Sequence, residues 1–395
     1  MSPFYSILSV WKPLTTTTLL ILSTLLTAPL VTANPTCTNL RIPLTATASN
    51  EVFPIPVGLN YSNPAAVSAF VQTVLGDAGT AYPLIPTTFT GIVAARYCEP
   101  EVTIANRSDV VQLFMSGVTE NNLYWFGLGY PNGYDGNEYS TVDYASKQGY
   151  PTLAIDRIGV GNSTHPDPIL QQQVNLEEAV SHQLVTMLKA GTAVPGKTFN
   201  RIIFVGHSYG SILGNAQATN HPGDISAFIL TGYGVSIIPV AADLPQTVPF
   251  PATLYAPRFA GFAPGYLVTS SEAGRRAYLW GKPGSYDEGI FEMDYDDEDV
   301  VGLGELLSID GGLKEAPAST APVYIITGDS DDVFCLAATC GDGPSSPQAQ
   351  ACALFPKAET CEYFIPVGTG HMISLHYSAQ TSFQKYHAFL ASVGF

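Results

Sequence analysis

From about Val110 to the end of the chain, short apolar runs alternate with stretches in which apolar residues recur every three or four positions. Segments 110–115, 151–155, 201–205, 227–230, 323–326 and 363–365 are predominantly continuous in their apolar character rather than alternating, the pattern of strands covered on both faces. Segment 175–190 places Leu176, Val180, Leu184 and Leu188 on one helical face. Asn175 and Glu178 have the spacing of a capping box at its start, and Gly191 ends it. Further helices are predicted over about 209–219 and 379–392. Strand and helix in alternation predict βαβ units, and so an α/β fold with one mostly parallel, doubly wound sheet.

Residues from about 235 to 320 break this rhythm. The stretch is rich in Pro, aromatic and acidic residues and lies between two strands of the same sheet. It reads as a cap inserted over the carboxyl edge of the sheet, within a single domain spanning 34–395. Pro249, Phe250, Tyr255, Phe259, Phe262, Tyr266, Tyr278 and Trp280 give the cap apolar surface, which serves its own core or lines the mouth of a site. The carboxylates crowded between Asp287 and Asp299 lack the spacing and central Gly of a calcium loop, so a solvated acidic face is expected.

Composition narrows the class. An apolar content of 46% and an aromatic content of 11% exclude a disordered chain. Sixteen Lys and Arg against 33 Asp and Glu give a formal net charge of −17, which excludes a nucleic-acid partner held by clustered cations. At the start, Lys12 precedes an uncharged run with its apolar centre at 19–26, ending Val31-Thr32-Ala33. This predicts a signal peptide over 1–33 and a secreted, extracellular product. The threonines and Pro29 make the stretch a poor membrane anchor. Six cysteines fit that address: an even count predicts three disulfides, with local bridges among Cys335, Cys340, Cys352 and Cys361 and the remaining pair Cys37 with Cys98. Their spacing is not that of a zinc site. Asn60, Asn106 and Asn162 head N-glycosylation sequons. No metal or nucleotide motif is present, so no cofactor is expected.

The chemistry-bearing signal is Val205-Gly206-His207-Ser208-Tyr209-Gly210, directly after a predicted strand and directly before a predicted helix. G-x-S-x-G in that setting is a nucleophile elbow, with Ser208 lifted above the sheet edge and the first helical N–H groups aimed at its target. A serine needs a base, and the base an orienting acid, in the order Ser, acid, His along the chain. His371, in Gly368-Thr369-Gly370-His371 after the last strand, is the candidate base. His165, His182, His221, His376 and His387 read as surface or hydrogen-bonded structural residues, and His207 as one that points away from Ser208 to pack beside the sheet. The loop Thr327-Gly328-Asp329-Ser330-Asp331-Asp332 offers three acids, and Asp331 has cleared the strand end far enough to reach an imidazole. Asp329 and Asp332 are then turn-forming or solvated neighbours. For the oxyanion, the amide of Tyr209 is one donor and that of Val118, in Ser116-Gly117-Val118-Thr119 after the first parallel strand, is the other.

These motifs, with Asp156-Arg157-Ile158-Gly159-Val160-Gly161-Asn162-Ser163 and Gly370-His371, resemble the α/β-hydrolase superfamily, and most of all its secreted fungal members related to esterases and lipases. The resemblance runs from about Val110 to the C-terminus. It implies that 156–163 is a structural turn beside the elbow and that the residues before Val110 supply antiparallel strands. Ser116 stands where many relatives carry His. The implied activity is secreted serine hydrolysis of a small, apolar carboxylic ester by Ser208, His371 and Asp331. Amide cleavage or acyl transfer would use the same three residues. An inactive binding protein on a hydrolase scaffold would ordinarily have lost one of them. Epoxide hydrolysis is disfavoured because the elbow carries Ser208 rather than Asp.

Overall fold

The computed structural model describes residues 35–77, 80–235, 250–269, 271–335, 341, 343 and 345–395. The expected leader, Cys340 and Pro249 lie outside these residues. Residues 34–395 cluster as one compact unit. The chain opens with two long strands, β1 (Cys37–Glu51) and β2 (Leu84–Cys98), paired antiparallel in a register that sets Cys37 opposite Cys98. The two cysteines are disulfide-bonded. Along β1, Ile42, Leu44 and Ala46 face inward while Arg41, Pro43 and Thr45 face out, the alternation of a half-buried strand. On the outer face, Thr45 and Thr47 pair across the hairpin with Thr90 and Thr88. These are the antiparallel strands expected before Val110.

The rest of the sheet is parallel. β3 (Val110–Met115), β4 (Thr152–Ile155), β5 (Arg201–His207) and β6 (Ala227–Thr231) follow in sequence. The insert contributes a small antiparallel sheet, β7 (Phe250–Pro251), β8 (Tyr266–Val268) and β9 (Val301–Gly302). β10 (Val323–Ile326) and β11 (Cys361–Phe364) complete the main sheet. Its eight strands are ordered β1-β2-β4-β3-β5-β6-β10-β11. Every residue of β3, β4, β6 and β10 is buried, which is why their sequences are predominantly apolar. Because β3, β5, β6, β10 and β11 run parallel, the loops after them leave the same sheet edge.

The helix Val174–Ala190 ends at Gly191, whose φ of 72° is the left-handed cap expected there. Its start differs from the expectation: Gln173 is the N-cap, and no capping box forms. Asn175 instead donates to the Ser49 carbonyl of β1, and Glu178 is buried beside Asn220 and His221.

The insert's aromatic residues resolve mostly as core. Phe259 and Tyr266 are buried with Ala252, Val268 and Val300, and Phe250, Tyr255 and Phe262 pack against them. Trp280, Tyr286 and Phe291 join the main core. Leu267, Val301, Leu303 and Leu307 pack with Val67, Phe70 and Val71 of the helix Pro64–Gly76. The acidic stretch is also only partly a solvated face. Asp294 and Glu298 are buried against the Arg275 guanidinium, at 2.6 and 3.0 Å, and Asp299 is buried while accepting from Asn121 and the Gly161 amide. Cys352 is bonded to Cys361, a local bridge of the kind expected, and Cys335 is disulfide-bonded. Among the described residues no helix is long and apolar enough to cross a membrane.

Candidate active site

The strand β5 runs into the helix Tyr209–Asn220 with one residue between them. That residue, Ser208, has φ 53° and ψ −119°, a conformation a side-chain-bearing residue adopts only when its surroundings impose it. The surroundings are explicit. The Ser208 amide donates to the Thr231 carbonyl of β6 at 2.9 Å, and its own carbonyl accepts from Ser211 and Ile212 in the first helical turn. A Cβ on Gly210 would collide with the Met115 carbonyl oxygen, and one on Gly206 would lie 2.7 Å from the Ser211 Cα. Only glycine fits either place, which is the physical content of the G-x-S-x-G pattern.

The loops after β10 and β11 bring Asp331 to His371. Asp331 Oδ2 lies 2.8 Å from His371 Nδ1, while its Oδ1 accepts from the amides of Val333 and Phe334 at 2.9 and 3.0 Å. Both side chains are buried. Burial alone would push the Asp331 carboxyl up, but His371 and the two amides hold it below the usual carboxylate range. His371 Nε2 is buried and has no hydrogen-bond partner among the described residues. Asp329 plays another part: its Oδ1 accepts from the Thr369 amide at 3.1 Å and so ties down the loop that carries His371.

Two glycines gauge how closely these parts approach. A Cβ on Gly232, the residue after the one that anchors the Ser208 amide, would meet the His371 ring at 2.8 Å. A Cβ on Gly117 would lie 2.8 Å from the Ser208 Cβ and 3.3 Å from its Oγ. The loop 116–120 after β3 thus abuts the serine from one side while the imidazole covers the end of β6. The amides of Val118 and Tyr209 donate to no acceptor among the described residues.

Several neighbours carry no site role in the sequence reading. Glu120 is buried in the 116–120 loop, accepts from the Gly117 amide at 2.8 Å, and faces His207 Nε2 at 3.4 Å. Burial raises its carboxyl, but His207 and the Gly117 amide outweigh burial and hold it low. His207 is more than packing beside the sheet. It stacks on Tyr124 with centroids 4.5 Å apart, and its ring lies 4.9 Å from that of His371. Behind the loop, Arg157 donates from Nε to Ser116 O at 3.0 Å and from Nη2 to Gly117 O at 2.9 Å. One acid in an otherwise uncharged loop, and a cation two residues past β4, were the signals available.

The remaining sequence candidates fall as follows. Asp156 is buried and accepts from the Asn122 and Asn162 amides, so the 156–163 turn is a structural brace. His376 and His387 are buried and bonded through Nδ1 to the Met372 and Phe383 carbonyls. His182 and His221 stack at the surface, centroids 3.6 Å apart. Asn60, Asn106 and Asn162 are exposed.

With fold and geometry in place, the class follows: the sequence matches the alpha/beta hydrolase family over residues 113–382, and the chain belongs to that family. Among solved structures it is similar to a soluble variant of monoglyceride lipase from Saccharomyces cerevisiae in complex with a substrate analog. The TM-score is 0.51 at 18% identity, covering 76% of this chain and 91% of that one. An open-form lipase gives a TM-score of 0.51 at 17% identity, covering 77% and 95%. Both likenesses concern the fold. A probable lysophospholipase of Arabidopsis thaliana, BODYGUARD 1, is 27% identical over 125 residues, which is 32% of this chain and 23% of that protein. The chain thus matches about a quarter of that relative's length.

Proposed function

We propose that this alpha/beta hydrolase is a secreted serine hydrolase that cleaves a carboxylic ester. The observation that carries the reading is the His371–Asp331 hydrogen bond, with Nε2 left open, beside Gly232, which follows the residue that anchors the Ser208 amide. In this reading His371 Nε2 takes the Ser208 proton as Oγ attacks the acyl carbon. The N–H groups of Val118 and Tyr209 receive the oxyanion of the tetrahedral intermediate. The imidazolium, its charge offset by Asp331, then protonates the departing alkoxide, leaving an acyl-enzyme. Water enters, gives its proton to His371, and releases the acid by the same steps in reverse.

A small, apolar acyl ester fits best. The net charge of −17 repels anionic substrates. The lipases of similar fold and the lysophospholipase relative, by their names, point to acyl esters. Secretion draws support from the disulfides Cys37–Cys98 and Cys352–Cys361 and from three exposed sequon asparagines. Expression in a secreting host should yield a glycosylated product beginning at Asn34.

The test is a panel of p-nitrophenyl esters of graded acyl length beside matched anilides, with native protein and Ser208→Ala. Ester turnover that disappears in Ser208→Ala is the expected result. Folded native protein that cleaves no ester, or a Ser208→Ala protein as active as the native one, would overturn it.

A further inference from the structure

Arg157 is fully buried, and its guanidinium is spent on four partners. Nε and Nη2 hold the carbonyls of Ser116 and Gly117, while Nη1 faces Glu177 at 2.9 Å and also meets Glu305. Burying a guanidinium with two carboxyl groups is a costly way to hold a fold, burial and the nearby Glu305 pushing the Glu177 carboxyl up, and a well-packed apolar cluster would stabilise it as well or better. Stability alone is therefore a poor account of the arrangement. The partners suggest another. The peptide joining Gly117 to Val118 is planar and trans, so its C=O and N–H point in opposite directions. A fork that fixes the Gly117 carbonyl fixes the direction of the Val118 amide as well.

Two contacts from the insert grip the same loop directly, and a third reaches it through Arg157. Arg275 Nη1 donates to Thr119 Oγ1 at 2.9 Å, the Asp299 amide donates to Thr119 O at 2.9 Å, and Glu305 pairs with Arg157. Thr119 is itself held at φ 59°. Glu120 ties the loop internally through the Gly117 amide, and Arg157 and the insert clamp it from either end.

We propose that Arg157 is a positioning residue for the oxyanion site: it aims the Val118 N–H at the carbonyl oxygen of the substrate, and the insert contributes to this through Glu305. The proposal rests on the serine-hydrolase reading. It makes the insert part of the catalytic frame, through a buried charge linked to the backbone of the 116–120 loop.

The test is Arg157→Lys, which keeps a cation between Glu177 and Glu305 but has no planar fork to span two carbonyls. Removing one oxyanion donor outright costs about 10²–10³ in kcat, so misaiming one should cost roughly 10- to 100-fold. We expect that fall in kcat with KM within about twofold, and an equal loss of affinity for a trifluoromethyl ketone, whose adduct oxyanion needs the same donors. The acid limb of the pH–rate profile should not move, because His371 and Asp331 are untouched. If Arg157→Lys does not fold, Arg157→Gln with Glu305→Gln removes the cation together with one counter-charge and is read the same way. A variant that melts earlier but keeps full kcat and ketone affinity below its melting point overturns the proposal. So does a rise in KM at constant kcat. Native protein that turns over no ester refutes the underlying hydrolase reading instead, an outcome seen before any variant is made.

Discussion

Replacing Asp331 by Asn gives a sharp consequence because the geometry dictates how the new side chain will sit. Asp331 Oδ1 accepts from two amides, Val333 and Phe334, and Oδ2 faces His371 Nδ1 at 2.8 Å. In Asp331→Asn only one oxygen remains, and the two amide donors claim it. The NH₂ group must then point at Nδ1, which can meet it only as an acceptor. The imidazole proton moves to Nε2, the atom that has to receive the Ser208 proton, and the base is blocked. A wrong tautomer of this kind costs about 10⁴ in kcat in a serine protease, or ~5 kcal/mol in the barrier. Asp329→Asn should cost less than about tenfold, because an asparagine oxygen still accepts from the Thr369 amide. Asp332→Asn should also change little. The assay is kcat for a p-nitrophenyl ester in all three variants, with melting temperatures to confirm folding. If Asp329→Asn or Asp332→Asn lost more activity than Asp331→Asn, the acid would be misassigned. If all three stayed within tenfold of native, the tautomer argument would fail.

The other expectations are simpler. His371→Ala should lower ester kcat by at least about 10³-fold while circular dichroism shows an intact fold, and near-native rates would mean that another group is the base. Glu178 gives a pH signature in stability. It is buried in the helix Val174–Ala190, and burial raises its carboxyl to about 7 despite the Asn220 bond. A carboxyl raised in the folded state contributes stability that is complete below its unfolded value and is lost as pH rises through the folded one. Native protein should therefore lose roughly 3 kcal/mol between pH 4.5 and 7.5 that Glu178→Gln does not lose. Parallel stability–pH curves for the two proteins would show that Glu178 ionises normally.

Much of this site was legible in the sequence because its parts are local. The elbow is written in Gly206, Ser208 and Gly210, since only glycine clears the Met115 carbonyl and the Ser211 backbone. The parallel strands declare themselves because both their faces are buried. Asp331 and His371 sit in short loops after strands that an apolar run already marks, and the four loop residues 327–330 bring the acid clear of the sheet. What stayed hidden depends on partners far away in sequence. Nothing in Asp156-Arg157 announces that the guanidinium will meet Glu305, 148 residues later. The carboxylates of 287–299 have the composition of a solvated face, yet Arg275 draws Asp294 and Glu298 into the interior. The insert's aromatic residues had two possible uses, and packing on one another and on the main core claimed most of them. The capping-box spacing at Asn175 was overruled because the helix begins earlier, with Gln173 as N-cap, and the Asn175 side-chain amide donates to the Ser49 carbonyl.

The central claim is that the hydroxyl at the elbow is the activated nucleophile, and covalent capture addresses it most directly. Native protein incubated with a fluorophosphonate, digested and mapped by mass spectrometry should carry one phosphonyl group, on Ser208, and His371→Ala should label far more slowly. An adduct on a different residue, or folded protein that takes up no probe, would contradict the account.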